Sequence, residues 1–319
     1  MTKDADNRSA APPISGGAIP EASNIARAPS RPATDRVYER SAHDLHAAAG
    51  LIALSVLLDS AVEHYRGSYH NKAMFTPLVT ATITLTATAH GLRAPAGLGH
   101  AGRRGIFVLA VATGAVGTGF HVYDILAKPG GISWQNLFYA APLGAPSALI
   151  VSGLAGFLAE HIRATPPDES ARVFGHSVSR SAALGSALAL VGTSAEAALL
   201  HFRGAFQNPA MFFPVTLPPV AAGLLGFAGL RPAVGAYPVT QACLTATAAI
   251  GLAGTGFHAY GVARAMGGWR NWHQNLLDGP PIPTPPSFAA LALAGRAALR
   301  LLAHDASRAG HTPARAVPP

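Results

Sequence analysis

Eight long apolar stretches, separated by short segments that carry most of the arginines, dominate this sequence. A transmembrane helix needs about 20 mostly apolar residues, whereas the strands of a membrane β-barrel are shorter and alternate in polarity. Continuously apolar runs such as 106–112 therefore predict helices. We expect an all-α, polytopic membrane protein with eight transmembrane helices, held in a lipid bilayer. The stretches lie at 45–64, 73–92, 105–124, 137–159, 181–201, 209–230, 238–261 and 284–303.

Composition narrows the class of protein further. Only 12% of the residues are charged, against about 25% in an average soluble protein. The net charge of +8 does not indicate a nucleic-acid partner, because the basic residues lie in the tails and short loops, as membrane topology requires. Cys243 is the only cysteine, which excludes internal disulfides and multi-cysteine metal sites. No local motif of nucleotide binding or hydrolysis is present, so whether the chain is an enzyme stays open.

The distribution of positive charge predicts the orientation. Fourteen arginines fall on one side of the predicted spans, and six arginines or lysines fall on the other. Cytoplasmic loops carry the excess of positive charge, so we expect both termini in the cytoplasm, with the chain in the inner (plasma) membrane. The loops after the first, third, fifth and seventh spans then face the periplasm. We predict disordered cytoplasmic tails at 1–42 and 304–319, and a cytoplasmic linker at 164–179.

The two halves of the chain resemble one another at a constant offset. Residues 64–77 align with 201–214 at eight of fourteen positions, and 114–123 align with 251–260 at seven of ten, both at an offset of 137. After a two-residue insertion the alignment continues at an offset of 139. Each half holds four stretches, an even number, so both halves enter the membrane in the same direction. The predicted parallel four-helix repeats span 43–163 and 180–303.

Several polar positions are kept in both halves and fall near the predicted outer face. Ionisable groups at membrane depth are costly, and they indicate function by default. The duplicated set is therefore the candidate site. It comprises the acids Asp59 and Glu196, the histidines His64, His121, His201 and His258, the arginines Arg66 and Arg203, the asparagines Asn71 and Asn208, and the tyrosines Tyr123 and Tyr260.

The histidines suggest a bound haem or transition metal. His64 with His121 would form one ligand pair, and His201 with His258 the other, most simply as axial ligands of haem iron. Such a protein would transfer electrons as a membrane subunit, exchanging them with a redox partner protein on the periplasmic side. Imidazole also suits non-haem zinc, copper and iron.

The other duplicated charges have roles in the same hypothesis. The planar guanidinium groups of Arg66 and Arg203 would pair with haem propionates. Asp59 and Glu196 would carry protons, orient the ligands, or join the histidines around a non-haem metal.

Two other functions compete with cofactor binding. The duplicated polar groups could line the path of an ion- or proton-coupled transporter of a small solute. They could instead be fold signatures of a non-catalytic membrane anchor or assembly subunit. The repeated Gly-x-x-Gly-Thr-Gly-Phe-His motif admits either a neighbouring backbone or a flat cofactor. His46 and His90 have no counterpart in the second half, and we interpret His46 as an interfacial residue.

Overall fold

The computed structural model describes residues 33–94, 99–166, 169–232 and 235–311. Over these residues the chain is almost entirely helical, as predicted. A two-stranded antiparallel hairpin, β1 (Arg172–Val173) and β2 (His176–Ser177), lies between α5 and α6. Short 3-10 helices precede α2, α7 and α9, at Lys72–Phe75, Pro209–Phe212 and Gly268–Asn271. The α-helices are α1 (Ala33–Arg66), α2 (Thr76–Arg93), α3 (His100–Ala127), α4 (Trp134–Tyr139), α5 (Gly144–Ala164), α6 (Val178–Arg203), α7 (Phe213–Leu230), α8 (Tyr237–Arg264), α9 (Trp272–Leu277) and α10 (Pro286–His311).

Seven helices in the described part of the chain are long and apolar enough to cross a membrane, which indicates a multi-pass membrane protein. They are α1, α3, α5, α6, α7, α8 and α10. The long helix outside this group is α2, whose threonine-rich sequence lowers its hydropathy. Helix α10 qualifies although Arg296 and Arg300 interrupt its apolar sequence.

The helices extend beyond the predicted spans at both ends of the chain. Helix α1 begins at Ala33, inside the segment predicted as a tail, because Tyr38 and Ala42 are buried against α5 and α10. The Tyr38 hydroxyl also donates a hydrogen bond to the backbone oxygen of Glu169, at 3.2 Å. Helix α10 continues to His311. Residues 1–32 and 312–319, the rest of the predicted tails, lie outside the described residues.

The contacts among α1–α5 recur among α6–α10. Helix α1 packs against α2, α5 and α10, while α6 packs against α7, α10 and α5. Helix α3 lies on α2 and α5, and α8 lies on α7 and α10. The four helices α1, α5, α6 and α10 therefore form the centre, and α3 and α8 flank it. Alanine is the commonest residue of the main core, and its small side chain lets the helices approach closely.

The helix termini cluster at two opposite ends. We call the end at which α1 begins the N-terminal end, and the end that holds the four duplicated histidines the histidine end. At the N-terminal end, Arg180 at the start of α6 donates to the Gly229 backbone oxygen at the end of α7. At the histidine end, the last turn of α1 contacts the turn that leads into α2.

Candidate functional site

Helices α1 and α6 end in the same turn, which is fastened by a histidine. His64 Nδ1 lies 2.6 Å from the Met74 backbone oxygen, and His201 Nδ1 lies 2.9 Å from that of Met211. A carbonyl oxygen only accepts, so Nδ1 carries the proton and donates in both cases. Each histidine thus ties the end of one helix to the turn before the next.

The backbone of this turn is left-handed at two consecutive residues in each half. Tyr69 and Phe206 have φ of 45° and 46°, and the residue before each is also left-handed. Their rings stack on Phe75 and Phe212 at 4.4 and 4.6 Å. Positive φ is unfavourable for residues other than glycine, so the ring stacking and the histidine bond hold the turn in place.

The duplicated asparagines complete the turn. The Asn71 side chain accepts a hydrogen bond from the Ala73 backbone N–H at 2.9 Å, and Asn208 accepts from Ala210 at the same distance. Both are N-caps of the 3-10 helices that lead into α2 and α7. An N-cap acceptor satisfies a helix N–H that would otherwise lack a partner.

His121 and His258 fasten the third helix of each half to the start of the fourth. His121 Nδ1 donates to the Pro142 backbone oxygen, and His258 Nδ1 donates to that of Pro281 at 2.7 Å. Each of them lies within electrostatic range of the histidine on the first helix of its own half. His64 interacts with His121, and His201 with His258.

All four histidines therefore use Nδ1 for the backbone. In a neutral imidazole this leaves the lone pair on Nε2. Within the described residues, the hydrogen bonds of these four rings go through Nδ1 alone. A metal-ligating histidine usually donates its other ring N–H to a carbonyl or carboxylate in this way, which fixes the tautomer and the ring orientation.

The glycines beside His121 and His258 serve helix packing. A Cβ atom added at Gly114 would lie 2.7 Å from the Pro146 backbone oxygen, and one at Gly251 would lie 2.8 Å from that of Pro285. Thr118 donates to the Gly114 backbone oxygen at 2.8 Å, and its counterpart on α8 makes the same bond. The motif thus brings α3 against α5 and α8 against α10.

The two arginines are engaged across the halves. The Arg66 guanidinium pairs with Glu63 at 2.8 Å and donates to the Leu277 backbone oxygen of α9. Arg203 lies over the ring of Tyr139 in α4, with 4.9 Å between the guanidinium carbon and the ring centre. Each short helix therefore packs on the last turn of the other half's first helix.

The duplicated acids also reach across the halves. Glu196 accepts a hydrogen bond at 3.2 Å from the Gly144 backbone N–H, at the start of α5. Asp59 interacts with the Thr284 side chain, just before α10, and electrostatically with Glu196. A carboxylate at a helix N-terminus is favourable because the orphan N–H groups there carry partial positive charge. The structure thus places both acids near helix starts.

Tyr123 and Tyr260 are exposed at the surface of the helix bundle. Their exposed fractions are 70% and 63%, on the outward faces of α3 and α8. Arg264 lies 5.9 Å from the Tyr260 ring centre. Tyrosine at such positions is typical of the membrane–water interface.

A second polar cluster, which the sequence interpretation missed, lies at the N-terminal end of the first half. His46 was interpreted as interfacial, but its exposed fraction is 0%, and so is that of Glu160. His100 and Arg103 both bond to Glu160. The available signal was the spacing of His100 and Arg103, one helical turn apart at the same predicted depth as Glu160.

Among the described residues, no group of three or more histidine, cysteine, aspartate or glutamate side chains is arranged to hold a metal ion. Comparisons with models of known protein families, with curated proteins and with solved structures found no match to this chain.

Proposed function

We propose that the chain is an inner-membrane protein with eight transmembrane helices, built as two parallel four-helix repeats with both termini in the cytoplasm. The recurrence of the helix contacts and of the histidine-fastened turns supports the repeat. Helix α2 packs against both α1 and α3, which are candidate spans, and its 18 residues are about the length that the bilayer core requires. Both observations support its role as a further span. The charge distribution supports the orientation.

We further propose that each half binds one haem between its pair of histidines, and that the protein transfers electrons on the periplasmic side. The observation that carries this proposal is the use of Nδ1 by all four histidines, which leaves Nε2 as the electron-pair donor. The electrostatic interaction within each pair supports the assignment of partners.

Haem suits this donor set better than a bare ion. A structural zinc ion takes four protein ligands and a catalytic one takes three, whereas haem brings four equatorial nitrogens and needs only axial ligands. Two imidazoles complete that coordination. The Arg66 side chain is half-exposed, and its guanidinium already donates to Glu63 and to the Leu277 backbone oxygen, so a propionate would replace one of these partners.

Both histidine pairs lie at the histidine end of the bundle, which supports electron transfer along one side of the membrane. His64 with His121 and His201 with His258 would hold the haem groups, which would supply one-electron chemistry between a donor and an acceptor on the periplasmic side. A redox protein would serve as donor and a second redox protein or a quinone as acceptor. The chain's own part would be to hold the four imidazoles in one tautomer through their bonds to backbone oxygens.

The test is a visible spectrum and a haem assay of the purified full-length protein, reduced and oxidised. We expect about one haem per histidine pair. His64→Asn and His201→Asn keep a side-chain N–H near the backbone carbonyl but lack Nε2, so we expect each to lose one haem. His70→Gln is the matched control, since Gln207 stands at that position in the second half.

The absence of haem from protein purified with haem supplied, or full binding by the His→Asn variants, would refute the haem proposal. A second candidate would then stand, a membrane anchor or assembly subunit without a cofactor. The observation that favours it is that the duplicated asparagines, glycines, acids and arginines all have partners inside the fold. It predicts that the His→Asn variants lose neither stability nor partner binding.

A further inference from the structure

Four helices of the first half meet in a buried ionic cluster at the N-terminal end. It is separate from the duplicated set at the histidine end and does not depend on the proposed haem. His46 on α1 and Glu160 on α5 have exposed fractions of 0%, and that of Arg103 on α3 is 3%. The other members are His90, on α2, and His100, on α3. Charged groups buried at this depth need partners, so their contacts decide what the cluster does.

Glu160 is the centre of the cluster. Arg103 donates to both carboxylate oxygens, from Nε to Oε1 at 2.6 Å and from Nη2 to Oε2 at 2.9 Å. His100 Nδ1 lies 2.6 Å from Oε2, and His46 Nε2 lies 2.9 Å from Oε1. The arginine alone already balances the charge of the carboxylate. The two histidines therefore add basic groups that neutralisation of Glu160 does not require.

The His46 ring is unusual among them. Although Nε2 is near Oε1 of Glu160, it is out of line for a hydrogen bond, and neither ring nitrogen has an aligned partner among the described residues. The ring edge lies against Gly91, where a Cβ atom would come within 2.7 Å of Cε1. A buried polar ring without aligned hydrogen bonds is destabilising. Protonation would turn the contact with Glu160 into an ion pair.

The second half folds in the same way without this cluster. Helices α6, α7, α8 and α10 make the same contacts as α1, α2, α3 and α5, so the ionic residues are not a requirement of the architecture. Their positions in the second half are mostly apolar and lack an acid or a histidine. The counterparts of His46, His90, His100, Arg103 and Glu160 are Ala183, Phe227, Tyr237, Thr240 and Leu299.

Several charged groups face His46 from the surrounding helices. Helix α5 contributes Glu160 and Arg163, and α3 contributes Arg103; all three interact with the ring electrostatically. Arg163 donates to the Gly91 backbone oxygen at 2.5 Å. On α2, His90 accepts from Arg103 at 3.0 Å. The single acid among these groups is the one that lies against the ring.

His100 connects the cluster to the surface. Its side chain is 21% exposed, whereas Glu160 and His46 have no exposed surface. A proton from the aqueous phase can therefore reach the partly exposed imidazole of His100 first. The carboxylate of Glu160 lies 2.6 Å from His100, and the buried imidazole of His46 lies 2.9 Å from Glu160. Both heavy-atom separations are short enough for proton transfer, and transfer to His46 requires its ring to turn until Nε2 is aligned with the carboxylate.

We propose that this cluster is a proton-binding site, with His100 as the entry, Glu160 as the relay and the ring of His46 as the acceptor. One proton leaves the water at the N-terminal end, passes through the imidazole of His100 and the carboxyl group of Glu160, and is stored on His46. No electron moves and no bond between heavy atoms changes. Histidine changes its charge between about pH 5 and pH 8, which makes it the residue for such storage.

The experiment uses the full-length protein in lipid vesicles, with ring nitrogens labelled in all histidines. Nitrogen chemical shifts separate the two neutral tautomers from the imidazolium. His46→Ala combined with Gly91→Ala removes the His46 signals and thereby identifies them. This double variant should pack well, because the second half has alanine at both positions, Ala183 and Ala228. His43→Arg is the control, since His43 is exposed and the second half has Arg180 there.

We expect the His46 signals to convert reversibly to imidazolium as the pH is lowered through and below the usual range of histidine. His100→Tyr, which installs the second half's Tyr237, should slow proton uptake after a pH jump about tenfold or more and leave the final protonated fraction unchanged. A His46 ring that keeps one protonation state over this range would overturn the site. Unchanged uptake in His100→Tyr would overturn the entry. If the double variant does not fold, side-chain correlations in the unmodified protein assign His46.

Discussion

The two halves of the molecule agree at the histidine end and differ at the N-terminal end. At the histidine end, His64 and His201 make the same bond to the same turn, and Asn71 and Asn208 cap the same 3-10 helix. At the N-terminal end, the first half buries the Glu160 cluster where the second half has mostly apolar side chains and neither an acid nor a histidine. Polar residues kept in both halves thus maintain turns and contacts between halves, whereas the shared fold does not require the residues of the Glu160 cluster.

The largest effect is expected at Glu160, the centre of the buried ionic cluster that the second half lacks. Glu160→Gln removes the carboxylate that balances the buried Arg103, and breaking a buried ion pair costs about 3–5 kcal/mol. Thermal or denaturant unfolding of the purified protein measures this loss. Glu160→Leu with Arg103→Thr installs the residues of the second half and should lose much less. Equal losses in the single and double variants would contradict the comparison.

A smaller effect is expected where His46 meets α2. Gly91→Ala places a Cβ atom 2.7 Å from the His46 ring, and overpacking of this kind costs about 1–3 kcal/mol. Adding His46→Ala should restore the lost stability, because the second half holds Ala183 and Ala228 at these positions. A double-mutant cycle on unfolding free energies measures the coupling. Additive losses would mean that the ring does not occupy this space.

The smallest effect is expected at the matched turns. Asn71→Ala and Asn208→Ala each remove an N-cap acceptor, which costs about 1 kcal/mol, and the two losses should be equal. Gln207→Ala, at an exposed side chain beside the second cap, is the control and should change stability by less than about 0.5 kcal/mol. Clearly unequal losses at the two caps would show that the turns differ in energy despite their shared geometry.

The histidine end was partly predictable because its contacts are local. The bond from His64 to Met74 spans ten residues, so the repeated sequence block contains both partners. The acids were less predictable. Glu196 reaches Gly144, 52 residues away and in the other half, so the duplication alone did not indicate that each acid serves the opposite half.

The amino-acid sequence determined which segments form the long helices, because the length of an apolar stretch decides whether a helix can be buried in a bilayer or against neighbouring helices. It also determined that the same turn forms twice, since the histidine and the asparagine that make its local hydrogen bonds are present in both halves. Only the tertiary structure decided the partners of His46 and Glu160, which are 114 positions apart. Helical periodicity assigns a residue to a face, but the neighbour that covers this face depends on how all the helices pack together.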